Sequence, residues 1–81
     1  MDDLVKNLLN VILRDLVENA EAIKISKDES AEDGLVVYRI TVDESDMGRV
    51  IGKQGRIVKS IRNIVRAAAM KNNIKVAIEV G

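Results

Sequence analysis

Gly52-Lys53-Gln54-Gly55 stands between two apolar-periodic segments, and this four-residue turn constrains the fold more than any other feature of the chain. Glycine reaches positive φ without steric penalty, so a Gly-x-x-Gly turn can join two helices with their ends close together. The turn lacks Cβ atoms at its corners and points backbone N–H groups outward, which lets an anionic strand come near. Arg49, Lys53, Arg56, Lys59, Arg62 and Arg66 lie around it. A turn of this kind in this setting reads as a clamp for a nucleic-acid backbone.

The charge distribution agrees, although net charge says nothing, because thirteen basic residues balance thirteen acidic ones. Residues 1–46 hold five bases and twelve acids, a net of −7, and residues 47–81 hold eight bases and one acid, a net of +7. No acid occurs between Gly48 and Ile78. A merely solvated helix face mixes both signs, so a cationic half this pure points to a polyanionic partner.

The rest of the chain supplies a small α+β framework. Leu4, Val5, Leu8, Leu9, Ile12, Leu13, Leu16 and Val17 recur at the helical period, with Asp2 and Asp3 at the positive end of that helix. Residues 22–26 alternate as a short strand, Lys27 to Gly34 is a polar, acidic turn, and Leu35 to Val42 is a β-branched strand. The two strands form a hairpin, in which Gly34 supplies a positive φ. Asp43-Glu44-Ser45-Asp46 opens a short helix through Val50 or Ile51, and its acids are read as caps. After Gly55, Ile57, Ile61, Ile64, Val65 and Ala68 fall within one third of a helix circumference. Arg56, Lys59, Arg62 and Arg66 make a basic stripe on the other side. That helix ends near Lys71-Asn72-Asn73, and residues 74–80 alternate as a third strand. The order is α-β-β-α-α-β.

Composition excludes several classes of function. There is no His and no Cys, so nucleophilic, acid–base and thiolate chemistry lack their usual groups, and the chain is not read as an enzyme. No cofactor or metal is expected. A P-loop needs four residues between its glycines and then Lys with Ser or Thr, whereas Gly48 and Gly52 are separated by three and Lys53 precedes Gln54. No Gly-x-Gly-x-x-Gly occurs. No run approaches the roughly 18 apolar residues of a membrane span, and the start Met1-Asp2-Asp3 is unlike a signal peptide. A cytoplasmic protein of one domain, residues 1–81, is the expectation.

Val50-Ile51-Gly52-Lys53-Gln54-Gly55-Arg56 followed by an isoleucine-rich helix resembles the signature of the K-homology (KH) RNA-binding domain. The element order is similar to the bacterial type II arrangement, and the resemblance extends over nearly the whole chain, to the small single-domain KhpA-like group. It implies a three-stranded sheet with helices packed on one face and a groove for about four nucleotides of single-stranded RNA. It also implies a cytoplasmic RNA-binding protein, acting as a post-transcriptional regulator or RNA chaperone. A homodimer, or a heterodimer with a larger KH-containing partner, belongs to the same implication. On that basis the RNA-binding residues are Arg49, Val50, Ile51, Gly52, Lys53, Gln54, Gly55, Arg56 and Lys59. Gly52 and Gly55 admit the backbone, while Lys53 and Arg56 neutralise phosphates and Arg49 and Lys59 extend the rim. Val50, Ile51, Ile57 and Val58, with Val37 or Tyr38, serve either as an apolar platform for bases or as plain core. Met70, on the basic side of its helix, marks a surface for a second copy.

Overall fold

The computed structural model describes residues 3–29 and 33–80. Asp2 and the centre of the acidic turn, residues 30–32, lie outside the described residues. Helix α1 spans Leu4–Leu16, strand β1 Lys24–Asp28 and strand β2 Leu35–Thr41. Helix α2 spans Met47–Ile51, helix α3 Arg56–Lys71 and strand β3 Lys75–Val80. The fold is the type II KH arrangement of helices on one face of a mixed three-stranded sheet. β2 is central, antiparallel to β1 and parallel to β3.

Each boundary has a local cause. Asp3 caps α1, its carboxylate accepting from the Lys6 N–H at 3.1 Å. The alternation expected from Ala22 begins two residues later, at Lys24, because Ala20–Ala22 form a single 3₁₀ turn. At the end of α3 the Ala69 carbonyl accepts from the N–H groups of both Asn72 and Ile74, at 2.9 Å each. The Met70 carbonyl takes the Asn73 N–H at 3.1 Å, with Asn73 at φ 57°. This is a Schellman motif with asparagine in the left-handed position where glycine is usual. Gly34 adopts φ 80° before β2, as expected.

Alternation along the strands assigns the two faces of the sheet. Tyr38, Ile40, Val76 and Ile78 are buried against Val5, Leu9 and Leu13 of α1, Val50 of α2 and Ile61, Val65 and Ala69 of α3. On the other face Arg39 bridges the strands, donating to Glu79 at 3.0 Å and Asp28 at 3.4 Å. These pairs are exposed and screened by solvent, so the fold depends on the buried face.

The apolar stripe of α3 is rotated from its expected position. Val58, Ile61, Val65 and Ala69 line the buried face, while Ile64 is 51% exposed and Ala68 only partly covered. Small Val58 and Ala69 face the core, which lets the helix approach the sheet closely. Spacing alone did not show this, because the apolar arc is wider than the face that packs.

Tyr38 is the chain's only aromatic residue, and it belongs to the core, not to a base platform. Its hydroxyl donates to the Asp3 carboxylate, with oxygens at 2.9 and 3.0 Å, and Lys27 approaches the same group at 3.3 Å. Burial, and then the hydrogen bond to Asp3, push the Tyr38 hydroxyl up to about 12. A phenol whose folded pKa exceeds its unfolded value stabilises the fold below about pH 10 and loses that contribution as pH climbs toward 12. Absorbance titration of this lone tyrosine should give a midpoint well above 10, and Tyr38→Phe should flatten the fall in melting temperature over that interval. An ordinary tyrosine midpoint would show that the hydroxyl is not held this way.

Candidate nucleic-acid interface

Helix α2 has five residues, too few to persist alone, and is fixed by what surrounds it. Val50 anchors it with no exposed surface. Its last turn closes where the Gly52 N–H donates to the Gly48 carbonyl at 2.9 Å. The backbone then passes through three positive φ values in four residues: 75° at Gly52, 56° at Gln54 and 72° at Gly55. The two glycines are not equivalent. A Cβ at Gly52 would lie 2.6 Å from Ile57 Cγ1 and 2.9 Å from Ile57 Cβ, whereas one at Gly55 would meet only Val58 Cγ1 at 3.9 Å. Ile57 is β-branched and stiff at χ1, so it cannot easily withdraw. Gly52 is therefore required twice, by conformation and by space, and Gly55 by conformation alone.

Gly55 is also where α3 begins. No side chain caps this sixteen-residue helix at its N-terminus, and its first turn holds no acid. The positive end of the helix dipole thus opens at the turn. Lys53, Gln54, Arg56 and Lys59 are exposed here, and among the described residues none of the three cations pairs with a carboxylate.

Two other cations are already engaged. Arg49 Nη2 donates to Glu18 Oε1 at 2.8 Å, and its Nε lies 3.6 Å from Asp46 Oδ1. Arg62 turns away from the expected basic stripe, donating from Nε to the Ile78 carbonyl at 3.2 Å. It joins α3 to the outer edge of β3 and is partly buried. Arg66, one turn on, remains exposed.

The apolar residues divide in the same way. Ile51 is 37% exposed beside the turn and Ile57 is half-buried beneath Gly52. Val50 and Val58 are core residues that support the turn from below. Sequence reasoning missed a shallow groove of about 210 Å³ farther along α3, lined by Arg66, Met70, Ile74, Lys75 and Val76. It lies along the free edge of β3, so its residues come together only once the third strand is in place.

Asp46 departs from its expected role as a cap. Asp43 does cap the turn over Glu44–Asp46, accepting from the Ser45 N–H at 3.0 Å, but Asp46 makes no cap to its own helix. Its buried carboxylate accepts instead from the N–H groups of Glu18 and Asn19, at 3.1 and 3.0 Å, and from Asn19 Nδ2 at 3.1 Å. The Glu18 N–H leads these groups, with Arg49 nearby, in holding the carboxyl below its ordinary range. Its stabilising effect is therefore complete at neutral pH and is lost in acid, as pH falls through the lowered value. Among the described residues no cluster of His, Cys, Asp or Glu suits a metal ion, and no helix is long and apolar enough to cross a membrane.

The family model for the KhpA/KhpB KH domain matches residues 6–80. The chain belongs to that family. The KhpA/KhpB family is one of KH domains and not of enzymes. The chain is 41% identical over 75 residues to the RNA-binding protein KhpA of Clostridium perfringens, covering 93% of this chain and 97% of that one. The protein of the same name from Listeria monocytogenes is also 41% identical, with 93% and 96% covered. That from Chlamydia caviae is 35% identical, with 93% and 94% covered.

The unequal glycines give a direct test of the turn. Gly55→Ala should lower stability by about 1 kcal/mol, the cost of a left-handed alanine. Gly52→Ala should cost about 3 kcal/mol or more, because strain from positive φ adds to the collision with Ile57. Urea unfolding of the two variants measures the difference, and equal losses would contradict the Gly52–Ile57 contact.

Proposed function

We propose that this chain grips a short stretch of single-stranded RNA at the turn from Gly52 to Gly55 and the first turn of α3, with low sequence specificity. One observation carries the reading: a helix N-terminus without side-chain cap or acid, flanked by Lys53, Arg56 and Lys59, which no carboxylate neutralises among the described residues. The names of the KhpA relatives support it. Phosphates face the N–H groups and cations of the turn, and Gly52 and Gly55 allow close approach. Bases lie toward Ile51 and along the α3 flank carrying Lys59 and Arg66. With Tyr38 buried, no aromatic ring is offered for stacking, a contact worth about 1–3 kcal/mol per base elsewhere. Affinity for about four nucleotides is accordingly modest. The setting is the cytoplasm, and the role is post-transcriptional regulation or RNA chaperoning by a single KH domain.

A site this small gains from a second copy, and the exposed apolar residues supply a surface for one. Val11 is 63% exposed, Ile64 51% and Met70 74%. A homodimer, or pairing with another KH-containing protein, covers such residues. If the chain served mainly as a subunit, this surface would matter more than the turn.

Fluorescence anisotropy with short single-stranded RNAs tests the clamp. Binding should weaken with salt at a log–log slope of roughly −2 to −3, as for three or four phosphates on a single strand. Lys53→Asp with Gln54→Asp should abolish it with little change in melting temperature, since both side chains are exposed and aspartate tolerates the left-handed backbone at position 54. Salt-insensitive binding, or a large loss of stability in the variant, would refute the clamp. Sedimentation should show a dimer at micromolar concentration that Ile64→Glu with Met70→Glu dissociates. A strict monomer would eliminate the homodimer and leave the heterologous partner.

A further inference from the structure

Asp46 is fully buried, yet its carboxylate serves no helix of its own. It lies immediately before α2 and reaches back 27 and 28 residues to the segment that leaves α1. There it accepts from two backbone N–H groups and the Asn19 side chain, which leaves no buried side-chain polar atom unsatisfied among the described residues. Ser45 adds a weaker contact, its Oγ accepting from Asn19 Nδ2 at 3.4 Å. Arg49, one turn along α2, bridges the same two segments through Glu18. The beginning of α2 is thus tied by directional bonds, its middle is set by Val50 in the core, and its end is the Gly52 turn. Burial of Val50, with Met47 packed partly against the core, holds α2 down by non-directional contacts. Three hydrogen bonds to one carboxylate add direction.

We propose that Asp46 is a positioning residue for the Gly52–Gly55 turn, holding α2 in the orientation that presents the turn beside the open end of α3. It touches no ligand and acts through α2. The inference deepens the RNA-clamp reading and rests on it for its functional consequence, but the positioning itself exists without RNA.

Asp46→Asn is the informative variant. It preserves size, but an amide has one acceptor oxygen where three donors converge, and its own NH₂ confronts N–H groups. Val5→Ala, a core truncation in the first turn of α1, provides a loss of stability that removes none of the hydrogen bonds tying α2 to the α1 exit. Both are compared with wild type at a temperature where circular dichroism shows all three folded. Asp46→Asn should bind single-stranded RNA at least about tenfold more weakly, while Val5→Ala stays near wild type. In RNA-free protein, amide exchange of Asp46→Asn should accelerate selectively over residues 47–56. Equal affinities of the two variants, or exchange that rises evenly through the chain, would overturn the proposal. If wild type binds no RNA, the clamp reading fails by itself, and the exchange pattern still decides whether Asp46 positions the turn.

Discussion

Parallel pairing of β2 with β3 is the constraint on which the molecule depends. Parallel neighbours cannot be joined by a tight turn, so the chain from residue 42 to residue 74 must leave the sheet, run back along it and re-enter at the same end. A single long helix would make that return, but here the crossover is broken into five-residue α2 and sixteen-residue α3, with the glycine turn between them. The break lets Val50 of α2 and Ile61, Val65 and Ala69 of α3 join one core with Tyr38 and Ile40. It also leaves the start of α3 uncapped by any side chain. The candidate site is thus the corner that the crossover must turn.

Much of this was legible because it is encoded locally. The period of α1, the alternation of β2 and β3, and the Gly-x-x-Gly spacing each concern residues within one element, and the structure has the helices, strands and turn in the expected order. What escaped was set by distant partners. β1 starts at Lys24 because the preceding segment is bent into a 3₁₀ turn just after Glu18 and Asn19, which Asp46 holds from across the molecule. Asp before a helix reads as a cap, and nothing in its neighbourhood signals otherwise. Arg62 was grouped with the stripe because helical spacing cannot show that a β3 carbonyl lies within its reach. Tyr38 looked available to bases because alternation assigns faces but does not say which face is covered.

The charges are sorted by role as well as by sequence half. Asp3 caps α1 and receives Tyr38, Asp43 caps the turn before α2, and Asp46 and Glu18 engage the α1 exit and Arg49. Asp28 and Glu79 flank Arg39 on the open sheet face. These acids are used within the fold. Lys53, Arg56, Lys59 and Arg66 have no such employment among the described residues, and burial does not explain them, because all four are exposed. Lys53 in the turn and Arg56, Lys59 and Arg66 on the outer side of α3 repel one another, a cost to stability that an external anion would offset.

Recognition built this way favours a chemical class over a sequence. In the proposed clamp, phosphate is met by cations, by helix N–H groups and by the space that glycine leaves, and none of these distinguishes one base from another. The groove near β3 is lined by Met70, Ile74 and Val76 with Arg66 and Lys75 and holds no aromatic ring, and the lone aromatic ring is committed to Asp3 in the core. A protein that gripped RNA in this way would discriminate chiefly by where single-stranded segments are exposed and by how many clamps engage one molecule. A partner that covered exposed apolar residues such as Val11, Ile64 or Met70 would then bear on selectivity. By fixing the distance and orientation between two weak clamps, a partner on that surface would set which spacing of single-stranded segments is held, a discrimination that no residue of the turn can supply alone.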